Sequence, residues 1–169
     1  SYFSKEDRLK GISLQSAIWK RPAPDTIPTD AKAAGLYMIR TLSKHEAEKN
    51  GFTDALMLDY KGRVAESTGA NIFFVIGGEI HTPIPDCFLN GITRQTVIDL
   101  ASQQGIKVVE RDIYPDEIQN AEEIFLTGSA VEVTPVGKIN DQTFKVGDIT
   151  SKILNSYMKE VDPNYQESN

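Results

Sequence analysis

Two consecutive stretches of this chain each read as a pair of short strands joined by a tight turn. "DALMLD" (54–59) turns through Tyr60-Lys61-Gly62 into "RVAES", and "NIFFVI" (71–76) turns through Gly77-Gly78 into "EIHTP" (79–83). Glycines supply the positive φ that hairpin turns require, and the arms are rich in aliphatic and aromatic residues. Hairpins join antiparallel strands, whereas parallel pairs need longer crossovers. More strand-like segments follow this pattern. "GISLQSAIW" (11–19) alternates Ile12, Leu14, Ala17 and Trp19 imperfectly, "KVVERDI" and "EEIFLTG" are apolar runs, and "EVTPVGKIN" is extended around Pro135. Helical spacing appears in four places. Leu36, Ile39, Leu42 and Ala47 mark a helix over 35–50 stopped by Gly51, and Thr93 to Gln104 is closed by Gly105. A short helix begins at Pro115, and Ile149, Ile153, Leu154 and Tyr157 form the stripe of a helix over 148–161. Hairpins outnumber strand–helix–strand units, so the spacing predicts a mixed α/β, α+β-like domain with mostly antiparallel strands.

Composition narrows the function. The 169 residues carry 24 acidic and 18 basic side chains, a net charge of −6, which disfavours nucleic acid as a partner. No apolar run approaches the ~20 residues of a membrane-spanning helix. Cys87 is the lone cysteine, which excludes an internal disulfide and a cysteine-built zinc site. Cys87 is expected to pack as a small hydrophobe. His45, on a charged helix face, and His81, in a hairpin, are expected to be structural, and no metal is expected. A soluble, intracellular protein, placed in the cytoplasm, is the expectation. The opening "SYFSKEDRLKG" starts at Ser1 and reads as the middle of something, so the chain is expected to be a fragment. The prolines of "KRPAPDTIPTDAK" favour an extended loop.

Three features could carry chemistry. In "NGITR" (90–94) a glycine turn runs directly into a helix, whose N-terminus is a natural cradle for phosphate or carboxylate. Thr93 either caps that helix or faces an anion. In "LTGSAVEVTP" (126–135) a strand breaks at Gly128, forming either a second anion-binding turn at Ser129 or a simple bulge. Lys32, a lone base among small residues, is either a snorkelling surface residue or a desolvated amine nucleophilic toward carbonyls. Glu66, ending an apolar strand, is either a rim charge or the partner of a buried cation.

Taken in order, these residues resemble the fold-type IV pyridoxal-phosphate enzymes. The signature appears as Glu66-Ser-Thr68-Gly-Ala-Asn71-Ile72-Phe73, then Ile80-His-Thr82, then Leu89-Asn-Gly91-Ile92-Thr-Arg94. The flanks "PDTIPTDAKAAGLY" and "EEIFLTGSAVEVTPV" look like branched-chain amino acid aminotransferases in particular. The resemblance covers nearly the whole chain but only the C-terminal, cofactor-binding part of such enzymes. It implies a pseudo-barrel of mixed, largely antiparallel strands with flanking helices. Residues 1–30 would end an interdomain segment and its proline-rich loop, 31–161 would be the cofactor-binding domain, 162–169 a polar tail, and the small N-terminal domain would be absent.

The resemblance also implies roles. Lys32 corresponds to the lysine that forms the internal aldimine with pyridoxal phosphate. Tyr37 matches a tyrosine at the cofactor's phenolic oxygen, and Glu66 the carboxylate that keeps the pyridine nitrogen protonated. Gly69 and Leu89 match positions packing on the ring. The backbone of Ile92 and Thr93, with the Ser129 hydroxyl, matches the phosphate cup. Tyr2, Tyr37, Ser129 and Ala130 match the substrate pocket. The implied reaction is ping-pong transamination of leucine, isoleucine or valine with 2-oxoglutarate, in a homodimer or higher homo-oligomer. D-amino acid aminotransferase and aminodeoxychorismate lyase share these elements and are the alternatives on the same fold, beside a non-enzymatic fragment. One departure stands out: the signature's common Gly-Glu-Asn is Gly69-Ala70-Asn71 here.

Overall fold

A computed structural model describes residues 5–28 and 34–166. A short helix α1 (Lys5–Lys10), which sequence spacing did not announce, precedes β1 (Ile12–Ser16). After the proline-rich loop come α2 (Ala34–Lys49), β2 (Asp54–Leu58), β3 (Val64–Ser67), β4 (Asn71–Ile76) and β5 (Glu79–Thr82). Then follow α3 (Ile92–Gln103), β6 (Val108–Glu110), a 3-10 helix (Pro115–Asn120), β7 (Glu123–Gly128), β8 (Glu132–Ile139), β9 (Gln142–Thr143) and α4 (Asp148–Val161). The hairpins, the Pro115 helix start and the bounds of the last helix agree with the sequence reading.

The strands run in the order β3-β2-β1-β8-β7-β4, and β3 pairs with β4 to close a six-stranded barrel. β5 and β6 extend the sheet beyond β4, and β9 pairs with β8. Pairings are antiparallel except β1 with β2, β1 with β8, and β5 with β6. The expected mixed, largely antiparallel pseudo-barrel is therefore present. β1 lies inside it, hydrogen-bonded on both sides.

One buried cluster draws on all six barrel strands, including Leu14, Leu56, Val64, Ile72, Leu126 and Val136, and fills the interior. A second lies outside, where Phe73, Val75, Phe125 and Val133 pack against Val97 and Ala101 of α3 and Ile153 and Tyr157 of α4. β4 is thus covered on both faces, which is why "NIFFVI" reads as a continuous apolar run. The Phe73 and Phe125 rings stack with centroids 4.9 Å apart. Phe73→Ala is expected to lower unfolding stability by about 3–5 kcal/mol in a urea titration.

The stripe of α2 is one residue off expectation. Leu42 is exposed, whereas Ser43 is buried and donates its hydroxyl to Ile39 O at 2.7 Å. With its hydroxyl bonded to the backbone one turn back, serine is accommodated on the buried face.

Candidate functional site

The site assembles at one end of the barrel, where β3 and β4 meet. The register between β2 and β3 slips between Met57 and Leu58: Glu66 pairs with Met57, and Val64 with Leu58. Strict alternation would give Glu66 the face of Val64, the barrel interior. The bulge re-aims it, so that Glu66 shares the outer face with its cross-strand partner Asn71. There Glu66 is buried, with Arg21 Nε 3.5 Å from its Oε1. Burial pushes its carboxyl up to about 7, Arg21 and Arg40 pull it back, and Asp54 adds to the rise. Of the two readings of Glu66, partner of a buried cation is the one the structure supports.

Asn71 connects this carboxylate to the start of α3. Its Nδ2 donates to Leu89 O at 2.9 Å, and its Oδ1 accepts from Gly91 N at 3.2 Å. A β-carbon on residue 91 would stand 2.6 Å from that oxygen, so any larger residue here would have to push the Asn71 amide out of this arrangement. Gly91 is the N-cap of α3 and no side chain caps the helix. Thr93 does not act as the cap; it lies inside the helix and is buried. The first-turn N–H groups, those of Ile92 and Thr93 among them, therefore have no capping side chain, and they carry the partial positive charge of the helix end. Arg94 anchors this turn from behind, donating to Asn90 Oδ1 at 2.9 Å, Pro83 O at 3.1 Å and Glu110 Oε2 at 2.6 Å.

The rim comes from two turns and a helix. Arg40 of α2 donates to Thr68 O and lies over the Tyr37 ring, 5.2 Å from its centroid, which brings Tyr37 to the 67–70 turn. Thr68 Oγ1 in turn donates to Asp54 Oδ1 at 2.5 Å. The turn after β7 adjoins the same place: a β-carbon at Gly128 would touch Ala70 Cβ and Gly69 O, each at 3.4 Å. Ser129 and Ala130 follow on that turn, exposed, as are Gly69, Tyr37 and Ile92, while Leu89 is half-buried. The structure thus brings together Tyr37, Glu66, Gly69, Leu89, Ile92, Thr93, Ser129 and Ala130. Lys32 and Tyr2 lie outside the described residues. Ala70 belongs to the interior core, in a turn where Ser67 Oγ accepts from Ala70 N at 3.1 Å.

Sequence reasoning passed over Arg21, Arg40 and Asp54. Arg21 sits among prolines next to Lys20, which reads as a solvated loop; its 2% exposure comes from contacts distant in sequence. Cys87 packs as expected, buried, with its thiol pushed up to about 12 by burial and the nearby Asp59 and Asp86. Asp59, Asp86 and Cys87 lie close together, but Arg63 already pairs with Asp59 at 2.6 Å, Asp86 at 2.8 Å and Asp112 at 2.9 Å. His81 accepts from Arg111 Nε at 3.0 Å, and burial with that positive neighbour holds it below the ordinary imidazole range.

Chemically, the arrangement offers a buried carboxylate at one end and an uncapped helix start at the other, joined through Asn71. A buried carboxyl can hold a proton or face a cationic nitrogen, and an uncapped helix start can hold a phosphate or a carboxylate. Among the described residues no helix is long and apolar enough to cross a membrane.

Comparison with known proteins agrees. A probable branched-chain-amino-acid aminotransferase of Rickettsia felis is 44% identical over 131 residues, 78% of this chain and 45% of that protein. The crystal structure of the branched-chain aminotransferase of the thermophilic archaeon Thermoproteus uzoniensis with norvaline superposes with a TM-score of 0.89 at 37% identity, over 94% of this chain and 54% of that one. An aminotransferase from Brucella abortus bound to the cofactor PLP gives a TM-score of 0.85 at 37% identity, over 89% of this chain and 54% of that one. The chain spans about half the length of these relatives. Residues 2–139 match the family described as amino-transferase class IV, and with the barrel and the Glu66–Asn71–Gly91 arrangement in place, the chain belongs to that family.

Proposed function

We propose that this chain is the cofactor-binding part of a pyridoxal-phosphate-dependent branched-chain amino acid aminotransferase. Its reaction would pass the amino group of leucine, isoleucine or valine to 2-oxoglutarate, yielding branched 2-oxo acids and glutamate. The observation that carries this reading is the Asn71 bridge, which fixes the uncapped start of α3 beside the buried Glu66. The names of the relatives support the choice of substrate.

When bound, pyridoxal phosphate supplies an aldehyde that exchanges amines and a protonated ring that withdraws electrons from the substrate's Cα. Glu66 would hold the proton at the ring nitrogen. The N–H groups of Ile92 and Thr93 and the Ser129 hydroxyl would bind the phosphate. Gly69 and Leu89 would pack on the ring, and Tyr37 would hold its phenolic oxygen. Lys32 Nζ would hold the cofactor at its aldehyde carbon and, once displaced there by the substrate amine, would be free to move the proton from the substrate Cα to that same carbon. Tyr2, Tyr37, Ser129 and Ala130 bound the substrate, and main-chain groups of the last two orient its carboxylate.

In this proposal residues 31–161 form the cofactor-binding domain together with β1, a barrel strand supplied from within residues 1–30; the rest of 1–30 ends an interdomain segment and 162–169 form a tail. A small N-terminal domain would complete the enzyme. We also place the protein in the cytoplasm as a homodimer or higher homo-oligomer. The single free thiol supports the first, and the exposed Ile18, Trp19, Met38 and Leu42 support the second.

The test is to add pyridoxal phosphate, reduce with borohydride and map the labelled peptide by mass spectrometry. Label on Lys32, lost in Lys32→Ala, is the expected result. Label scattered over surface lysines of both proteins would overturn the assignment.

A further inference from the structure

The Arg21 side chain links the carboxylate end of the cradle to the loop that leads into its other end. Its Nε lies 3.5 Å from Glu66 Oε1, while Nε and Nη2 both donate to Cys87 O, at 3.2 and 3.1 Å. Cys87 belongs to the loop that delivers Leu89 and Gly91 to the start of α3. The backbone of Arg21 is itself fixed, since its N–H donates to Leu58 O at 2.8 Å at the end of β2. A guanidinium presents several N–H groups in a rigid plane, so one side chain can hold a carbonyl and face a carboxylate together; a lysine amine is a single point charge.

We propose that Arg21 is a positioning residue that sets the Glu66 carboxylate and the 87–91 loop with one guanidinium, aligning the nitrogen and phosphate ends of the cradle. The alignment of a cofactor rests on the function proposed above; the coupling of Arg21 to Glu66 and to the loop does not. Among the described residues, the charged groups acting on Glu66 are Arg21 from the loop after β1, Arg40 from α2 and Asp54 from β2. Arg40 is engaged by Thr68 O, and Asp54 accepts from Thr68 Oγ1 and Ala55 N. Arg21 alone among them also holds the loop before α3.

The experiment follows the Glu66 carboxyl by 13C NMR titration of the chain without cofactor, its signal assigned by its loss in Glu66→Gln, and follows amide exchange across 87–91. In Arg21→Met the titration midpoint should rise by about 1–3 pH units, and exchange in the loop should quicken about tenfold or more relative to the barrel strands. Arg21→Lys keeps the charge, so its midpoint should stay within about one unit while the loop still exchanges faster. An unmoved midpoint in Arg21→Met, or exchange that rises equally across the barrel, overturns the proposal. Should Arg21→Met fail to fold, Arg21→Lys decides: loop exchange no faster than in the native chain sinks it. Borohydride labelling at Lys32 is read separately. Label with an unmoved Glu66 overturns only the role of Arg21, and a shifted Glu66 without label counts only against the cofactor reading.

Discussion

Gly137→Ala is expected to destabilise the barrel by about 3 kcal/mol or more, seen as a large drop in the urea midpoint or as failure to accumulate folded protein. An added β-carbon at 137 would stand 2.2 Å from Lys10 O, and one at Gly11 would stand 2.3 Å from Gly137 N. The obstacles are backbone atoms on both sides, so no rotamer change relieves them. The cause is local: β8 carries an extra residue between its pairings with Ile12 and Ser13, and that residue is Gly137. The chain leaving α1 crosses directly over this bulge. Gly51 is the control. Its φ is positive, +82°, whereas that of Gly137 is not, but nothing lies within 4 Å of an added β-carbon. Gly51→Ala should therefore cost about 1 kcal/mol, from backbone strain alone. A cost at Gly137 no larger than the strain cost at Gly51 would mean that the backbone of α1 and β8 moves apart readily and that their close approach is not what requires glycine.

The second large effect is a dependence of stability on pH that traces to Glu66. Its carboxyl titrates near 7 in the folded chain against 4.5 ordinarily, because burial disfavours the charged form. The folded state thus binds more protons than the unfolded state between these values. Stability is fully present below about 4.5 and declines as pH rises toward 7, by about 3 kcal/mol in all. His81, whose imidazole is held below its ordinary range, acts with the opposite sign. The contribution of Glu66 is therefore read as a difference. Unfolding free energies at pH 4.5 and 7.5 should fall more steeply in the native chain than in Glu66→Gln. Identical slopes would show that Arg21 and Arg40 compensate the burial completely.

How much of this was legible before folding depends on whether the deciding contact is local. The arms of "NIFFVI–GG–EIHT" sit within a few residues of each other, and turn chemistry alone places them. The stripe of α4 repeats at helical spacing, so both of its ends were readable. The N-cap of α3 was harder, because Thr93 and Gly91 both suit a helix start, and it is Asn71, 20 residues away, that selects Gly91. In the candidate site the signature residues were readable as a set. What orients them was not: the bulge that turns Glu66 outward is a property of the pairing between β2 and β3, and strict alternation predicts the opposite face. Arg21 was hidden for a similar reason. A basic residue among prolines looks solvated until the Cys87 carbonyl, 66 residues on, is known to stand over it.

The position of β1 bears on how such a chain reaches its native state. It is parallel to both neighbours, and one of them, β8, meets it with Leu14 beside Ile139, while Asn140 Nδ2 and Ser16 Oγ are joined across 124 residues. No hairpin can deliver that seam. The meander from β2 through β4 can zip from local turns, but the cylinder stays open until the far end of the chain returns to β1, against the entropy of a very long loop. Closure of the seam belongs late in folding. Until then the apolar edges of β1 and β8 are bare, and the period of greatest exposure to misassociation is the interval before β8 arrives.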